Sequence, residues 1–374
     1  MARAAHRALS AKVRRLVFFR KFRGRCREHL RLQKGDEDVL VAAYSSTGRG
    51  ECITFSNDRG RSWQDFAGNP VVRHEGRDPK LLWHEPSKRW VMAVYDEHAK
   101  GRHIAFYTSP DLKKWQFQSR IEGFFECPDL FELPIQGDLK KSKWVLYAAD
   151  GKYLLGHFDG KAFHKESGKH QLWHGNFYAA QTLTNAPNGK RLQIGWGQGI
   201  TFPGMPFNQQ MTFPVELTLR STTDGLRMFA EPVKEIASLH HRKHLEMRKV
   251  PEGEQELAIK GDLLHILAEF KLDQAKEVGF LIGGVPVRYE VKKQLLSCRG
   301  ITAPLASNQG RIKWEILVDR GSIEVFGNDG RVAISSGGTA KDKLSLKVFS
   351  RGGSSTLRIL AINELRSAWN KGKE

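Results

Sequence analysis

No apolar run in the 374-residue chain approaches the roughly 18 residues that cross a bilayer, so a membrane partner is not expected. Cysteine is scarce. Cys26, Cys52, Cys127 and Cys298 stand far apart, without CxxC or metal-ligand spacing, and read as reduced thiols or core residues that leave the redox compartment open. No pattern calls for a metal or a cofactor, and neither is expected. Helical periodicity is also missing: before Val233 no amphipathic pattern outlasts about three turns. The apolar run Leu16-Val17-Phe18-Phe19 is too short for the core of a signal peptide, which needs about 7 to 15 residues. Acidic residues are outnumbered, with 41 Asp and Glu against 60 Lys and Arg and a net charge of +19. That excess is uneven, because residues 1–31 hold eleven Lys/Arg and one acidic residue. Such an arm could bind nucleic acid or an anionic surface; a second explanation, given below, leads us to expect no nucleic-acid partner.

What is present is β structure. From Val39 onward, short runs rich in β-branched and aromatic residues alternate with Gly, Asn, Asp and Ser turns, as in Val39–Tyr44 and Cys52–Phe55. One phrase recurs. Phe55-Ser56-Asn57-Asp58-Arg59-Gly60-Arg61-Ser62-Trp63 is echoed 52 residues later by Tyr107-Thr108-Ser109-Pro110-Asp111-Leu112-Lys113-Lys114-Trp115. That period accommodates four short strands, the unit of a propeller blade. Further runs at Lys80–Trp83, Arg89–Tyr95, Lys143–Tyr147, Lys152–Phe158, Arg191–Trp196 and Pro214–Leu219 continue the series. Around residues 231–250 the composition turns polar, with helical spacing at Val233, Ile236 and Leu239 followed by His240-His241-Arg242-Lys243-His244. Neighbouring histidines can bind metal, but five polar residues in a row read as a solvated interdomain link. Eight alternating runs between Glu256 and Leu360 then predict a β-sandwich.

Two acidic clusters stand out, His74-Glu75-Gly76-Arg77-Asp78-Pro79-Lys80 and Phe124-Phe125-Glu126-Cys127-Pro128-Asp129-Leu130. Carboxylates at the ends of neighbouring strands can divide the labour of glycosidic cleavage, one giving a proton and another stabilising positive charge. Asp-Pro and Glu-Cys-Pro are also ordinary turns, and spacing alone leaves both readings open.

At these residues the chain closely resembles glycoside hydrolase family 32, the β-fructofuranosidases that include invertases, levanases and inulinases. The family's Arg-Asp-Pro motif stands here as Arg77-Asp78-Pro79 and its Glu-Cys motif as Glu126-Cys127. Asn176–Gln181, Gln193–Gln198, Gly204–Leu219, Ile316–Asp319 and Ser322–Gly330 match further family stretches. The resemblance implies a five-bladed propeller followed by a β-sandwich, and retaining cleavage of β-fructosidic bonds in sucrose or fructans such as levan and inulin. It implies Glu126 as acid/base, Asp78 as transition-state stabiliser, and Arg77 and Cys127 at the substrate. Tyr178 and Trp196 would wall the fructose pocket, although packing accounts for Trp196 equally well. Where relatives often carry Asp before Phe-Tyr-Ala, this chain has Asn176.

The family's nucleophile is an aspartate in a Trp-Met-Asn-Asp-Pro-Asn phrase on the first blade, and no such phrase occurs here. The expectation is an N-terminally truncated chain whose first blade is missing. Back-translating Phe18–Arg25 and reading one base later permits Phe-Ser-Gly-Ser-Ser-Ala-Val-Val, and Glu28–Leu32 permits Asn-Thr-Ser-Gly-Phe, both close to family sequence just before this point. Residues 1–35 are therefore expected to be an aberrant, frame-shifted basic segment, residues 36–238 the propeller, and residues 239–374 the link and sandwich. A non-catalytic carbohydrate-binding protein of the same fold is the alternative. The family implies an extracellular or periplasmic location for a full-length enzyme.

Overall fold

The computed structural model describes residues 13–21, 39–184, 186–202, 204–337 and 345–368, with backbone alone at 13–21, 245–247 and 260. Most of the expected aberrant segment, residues 1–12 and 22–35, lies outside the described residues. The rest is all β, interrupted by short 3₁₀ turns. No described helix is long and apolar enough to cross a membrane. The chain divides into two compact units, residues 1–133, 141–149 and 153–169 in the first, and residues 134–140, 150–152 and 170–374 in the second.

The first unit contains two four-stranded antiparallel meanders and most of a third. One runs through Val13–Lys21, Leu40–Ser46, Gly50–Ser56 and Gln64–Asp65, and another through Gly76–His84, Arg89–Asp96, His103–Ser109 and Gln116–Glu122. The third comprises Asp129–Ile135, Asp138–Tyr147, Lys152–Phe158 and Phe163–Gln171. Sequence sets the depth of each strand. Arg89–Asp96 reads Arg-Trp-Val-Met-Ala-Val-Tyr-Asp and is buried on both faces, whereas Gln116–Glu122 is mostly polar, has no buried residue and lies at the edge of its sheet, as an edge strand must to resist further pairing. Val91, Ala93, Tyr95, Ile104, Phe106, Phe124, Leu130, Leu146, Leu154 and Phe158 share one core, each large member contributing about 1.5–3 kcal/mol by leaving water.

The repeated sequence phrase is a carboxylate-centred turn. Asp58 Oδ1 accepts the Ser56 hydroxyl and the Ser62 N–H, both at 2.8 Å, and Trp63 Nε1 donates to Gly60 O. Asp111 Oδ1 likewise accepts the Ser109 hydroxyl and the N–H groups of Lys113 and Lys114, with Trp115 Nε1 donating to Leu112 O. A third version, missed in the sequence, has Asp159 Oδ1 accepting from Lys161 N and Ala162 N at 2.7 Å.

In the second unit, strands Tyr178–Leu183, Leu192–Gly197, Val215–Thr222 and Gly225–Pro232 form another antiparallel set. A seven-stranded sheet runs in the order Trp173–Gly175, Val332–Gly337, Ser322–Gly327, Arg311–Asp319, Leu263–Lys271, Ser355–Leu365 and His240–Val250. A six-stranded sheet runs Gly253–Lys260, Ser345–Arg351, Glu277–Ile282, Val285–Glu290, Leu295–Cys298 and Ile301–Pro304. Both line one core, in which Phe270 lies 5.2 Å from Trp314 and 5.5 Å from Phe280 between ring centroids. This is the expected sandwich, with differences in detail.

The expected solvated link at His240–His244 is instead the start of an eleven-residue strand. His240 Nε2 meets His265 Nδ1 at 3.0 Å and His244 Nε2 meets Glu364 at 2.9 Å. A sheet-edge strand shows most of its side chains to water, so its composition reads as a linker while its backbone is paired. The helical spacing before it becomes a 3₁₀ turn, Lys234–Leu239, with Ile236 buried. The hairpins over 285–304 were not anticipated, nor was a strand at Val13–Lys21 pairing with Leu40–Ser46.

Candidate active site

The two acidic clusters meet in the first unit. Arg77 and Asp78 lie on Gly76–His84, whose register with Arg89–Asp96 breaks between Arg77 and Lys80. There Asp78 takes φ +65° and Pro79 offers no N–H to the ladder. Across from it, Glu126 and Cys127 take φ +55° and +45° just before Pro128. Left-handed backbone at a residue other than glycine costs about 1–2 kcal/mol and is held only where surroundings impose it. Here the imposing contacts are visible. Asp78 Oδ2 accepts the Cys127 N–H at 3.1 Å and its thiol at 3.3 Å, while the Asp78 N–H donates to Ser45 Oγ at 2.9 Å. Asp78 and Cys127 are both buried, so the Cys127 thiol faces the carboxylate of Asp78 from within the protein.

Arg77 bridges two carboxylates. Its Nε and one terminal nitrogen donate to Glu126 Oε1 at 2.8 and 2.6 Å, and the other terminal nitrogen reaches Glu97 Oε1 at 3.0 Å. The guanidinium lies 4.8 Å from the Tyr95 ring centroid and 5.7 Å from that of Phe125, a favourable stacking of cation on aromatic face. Burial alone would lower its pKa, but the hydrogen bonds and charges of Glu126 and Glu97 outweigh burial and raise it. Glu126, at 20% side-chain exposure, is thus oriented by a fixed charge and remains open to solvent. Below it Lys80 pairs with fully buried Asp129 at 3.1 Å. Glu97 and Ser45 were not anticipated; nothing local in their sequence marks them, because each acts across strands.

Tyr178 and Trp196 come together in the second unit. They are cross-strand partners, with ring centroids 6.4 Å apart and planes at 69°, and both are half-buried. Asn176 has a defined task nearby: its Nδ2 donates to Gln198 O at 2.7 Å and its Oδ1 accepts the Gly337 N–H at 2.9 Å. An aspartate could not donate the first of these bonds, so the departure at this position is accounted for locally. Gln210 Nε2 donates to Ser322 Oγ at 2.7 Å, and the Phe213 N–H to Glu324 Oε1 at 3.1 Å. Glu324 is fully buried, and burial pushes its carboxyl up to about 8. Among the described residues, no cluster of three or more His, Cys, Asp or Glu side chains is arranged to hold a metal ion.

Residues 34–232 match the model of the glycosyl hydrolases family 32 N-terminal domain, and residues 235–364 that of the family 32 C-terminal region. The chain belongs to glycosyl hydrolase family 32. Both acidic clusters fall within the first family 32 match. The chain is 33% identical to a levanase of Bacillus subtilis (strain 168), over 90% of its own length and 58% of the levanase. It is 30% identical to a levanase of Bacillus sp. (strain L7), over 85% of its own length and 41% of that enzyme. It thus spans about half the length of these curated relatives. A crystal structure of exo-inulinase from Aspergillus awamori superposes with a TM-score of 0.84 at 21% identity, covering 96% of this chain and 85% of the inulinase, a likeness of fold.

Proposed function

We propose that the site serves a β-fructosidase-type glycoside hydrolase acting on sucrose or fructans such as levan and inulin, with Glu126 as acid/base and Asp78 binding sugar hydroxyls. The observation that carries this reading is the lock between the clusters. Cys127 fixes Asp78 and Arg77 fixes Glu126, so two carboxylates from successive meanders hold set positions. In retaining cleavage a nucleophilic carboxylate attacks the anomeric carbon while the acid protonates the departing glycosidic oxygen. The same residue then takes a proton from the water that releases the sugar. Asp78, accepting the Cys127 N–H and thiol, is suited to steadying the oxocarbenium charge and not to forming the covalent bond. Tyr178 and Trp196 would contribute aromatic faces to sugar binding, and no cofactor enters the scheme.

We further propose that the fold is the five-bladed propeller and sandwich of the family with its first blade missing, and that the nucleophile aspartate is not among these residues. No Asp-Pro-Asn phrase occurs in the sequence. That observation favours a second reading, fructose binding without turnover. A binding titration with fructose and a reducing-sugar assay on sucrose and levan separate the two, each run on this chain, on a version with the upstream reading frame restored, and on Glu126→Gln in both. The expected result is fructose binding by this chain without hydrolysis. The restored version should hydrolyse, with kcat reduced about 10²- to 10⁴-fold by Glu126→Gln. Hydrolysis by the present chain that Glu126→Gln abolishes would overturn the missing-nucleophile proposal. Loss of fructose binding in both versions would overturn the site.

A further inference from the structure

Behind Asp78 runs a line of buried polar groups to which the proposed reaction assigns no part. The Asp78 N–H donates to Ser45 Oγ at 2.9 Å, and the Ser45 hydroxyl donates to Glu51 Oε2 at 2.8 Å. The other oxygen of Glu51 is 2.9 Å from His74 Nε2, and His74 Nδ1 is 3.3 Å from Asp96 Oδ1. Asp96 Oδ2 accepts from Arg120 Nε. Glu51 is fully buried, Asp96 and Ser45 nearly so, and the His74 side chain is 5% exposed.

Protonation follows from the donor count. A carboxylate only accepts, so an imidazole with each nitrogen against a carboxylate oxygen satisfies both contacts only when it carries both protons. His74 and Arg120 then balance Glu51 and Asp96, and the four charges form a closed set in a setting where an uncompensated one would be costly. From the strand His103–Ser109, Tyr107 presents its ring edge-on at 6.2 Å; burial, Asp96 and Glu51 raise its hydroxyl, which keeps it neutral. Burial alone would strip the second proton from His74, but Glu51 and Asp96 outweigh it and raise the ring above its ordinary value.

The consequence reaches the site through one hydroxyl. Ser45 has a single hydroxyl proton, and giving it to Glu51 turns an oxygen lone pair toward the Asp78 N–H. Asp78 holds φ +65°, a conformation that needs outside support. We propose that His74 is a positioning residue: clamped between Glu51 and Asp96, it fixes Glu51, through Glu51 the Ser45 hydroxyl, and through that hydroxyl the peptide that carries Asp78. The effect on sugar binding rests on the reading of Asp78 as a sugar-binding carboxylate; the effect on the Asp78 peptide does not.

The test is an NMR pH titration of the His74 ring and the Asp78 amide in the full chain, together with fructose affinity for His74→Gln, Ser45→Ala and Ser45→Thr. The expected result is a His74 ring that keeps its second proton to higher pH than an ordinary imidazole, with the Asp78 amide resonance shifting as that ring titrates. His74→Gln and Ser45→Ala should each weaken fructose binding about tenfold, and Ser45→Thr, which keeps the hydroxyl, should restore it. An Asp78 amide indifferent both to the His74 titration and to Ser45→Ala would overturn the proposal. So would a His74→Gln protein with a lowered melting temperature but an unmoved Asp78 amide, since that is the mark of a packing role alone. If the unsubstituted chain fails to bind fructose, the sugar-site reading falls, and the amide titration still decides the role of His74.

Discussion

Single residues carry two roles that composition hides. Glu324 sits in Ser322-Ile-Glu-Val-Phe, where alternation places it on a solvent face, yet it is fully buried and receives the Phe213 N–H. Its carboxyl, at about 8 in the folded protein, lies above the ordinary carboxyl value, so folding retains a proton that the unfolded chain releases. The stabilisation is complete below the unfolded value and is lost as pH rises toward 8. The melting temperature should therefore fall between pH 5 and pH 8, by a few degrees for an effect on the order of a few kcal/mol. Glu324→Gln should flatten that slope in a calorimetric series. Arg77, by contrast, was legible from the Arg-Asp-Pro phrase, although its bridging to Glu97 was not. Arg77→Lys keeps the charge but loses the fork that contacts Glu126 twice. On the hydrolase reading proposed above, in a version carrying the proposed upstream frame, it should lower kcat/KM on sucrose about 10- to 100-fold, with a melting temperature changed by no more than a few degrees.

Elements were legible in proportion to how local their signals are. The Asp58 and Asp111 turns announced themselves because donors and acceptor lie within four residues of one another. The strands Val285–Glu290, Leu295–Cys298 and Ile301–Pro304 are short, and no turn phrase of that kind separates them. His240–Val250 is polar because it is an edge strand, and Val13–Lys21 pairs through backbone, which asks little of side-chain identity. The lines from Ser45 to Arg120 and from Asn176 to Gly337 join residues far apart in sequence, which one sequence cannot pair. The turn phrase can be tested by itself. Asp111→Ala removes an acceptor of two backbone N–H groups and one hydroxyl and should destabilise the folded chain by about 1–2 kcal/mol, read as a lower urea midpoint with an unchanged slope. Lys113→Ala, which keeps the backbone donor, should leave the stability within about 0.5 kcal/mol of the unsubstituted chain.

At the scale of the whole molecule, the basic beginning of the chain has a physical effect whatever its origin. Residues 13–21 pair with Leu40–Ser46, a strand whose other edge is taken by Gly50–Ser56. Deleting residues 1–33 would bare one edge of Leu40–Ser46, which is apolar from Leu40 to Tyr44. Gel filtration of the deleted chain should show concentration-dependent association, and substituting Lys for Ala43 in the deleted chain should deepen the loss of monomer through unfolding, not relieve it, because Ala43 is buried. A second feature matters to anyone who would dissect the chain. Trp173–Gly175, within the first family match, pairs in parallel with Ala333–Ser335 of the second. Gln210 and the Phe213 peptide are tied to Ser322 and Glu324 in the same way. A scissor cut near residue 233 would follow the sequence boundary yet tear through one sheet. Gene fusions, domain swaps and split reporters built on this scaffold should therefore keep Trp173–Gly175 and residues 210–213 together with Ser322–Gly337.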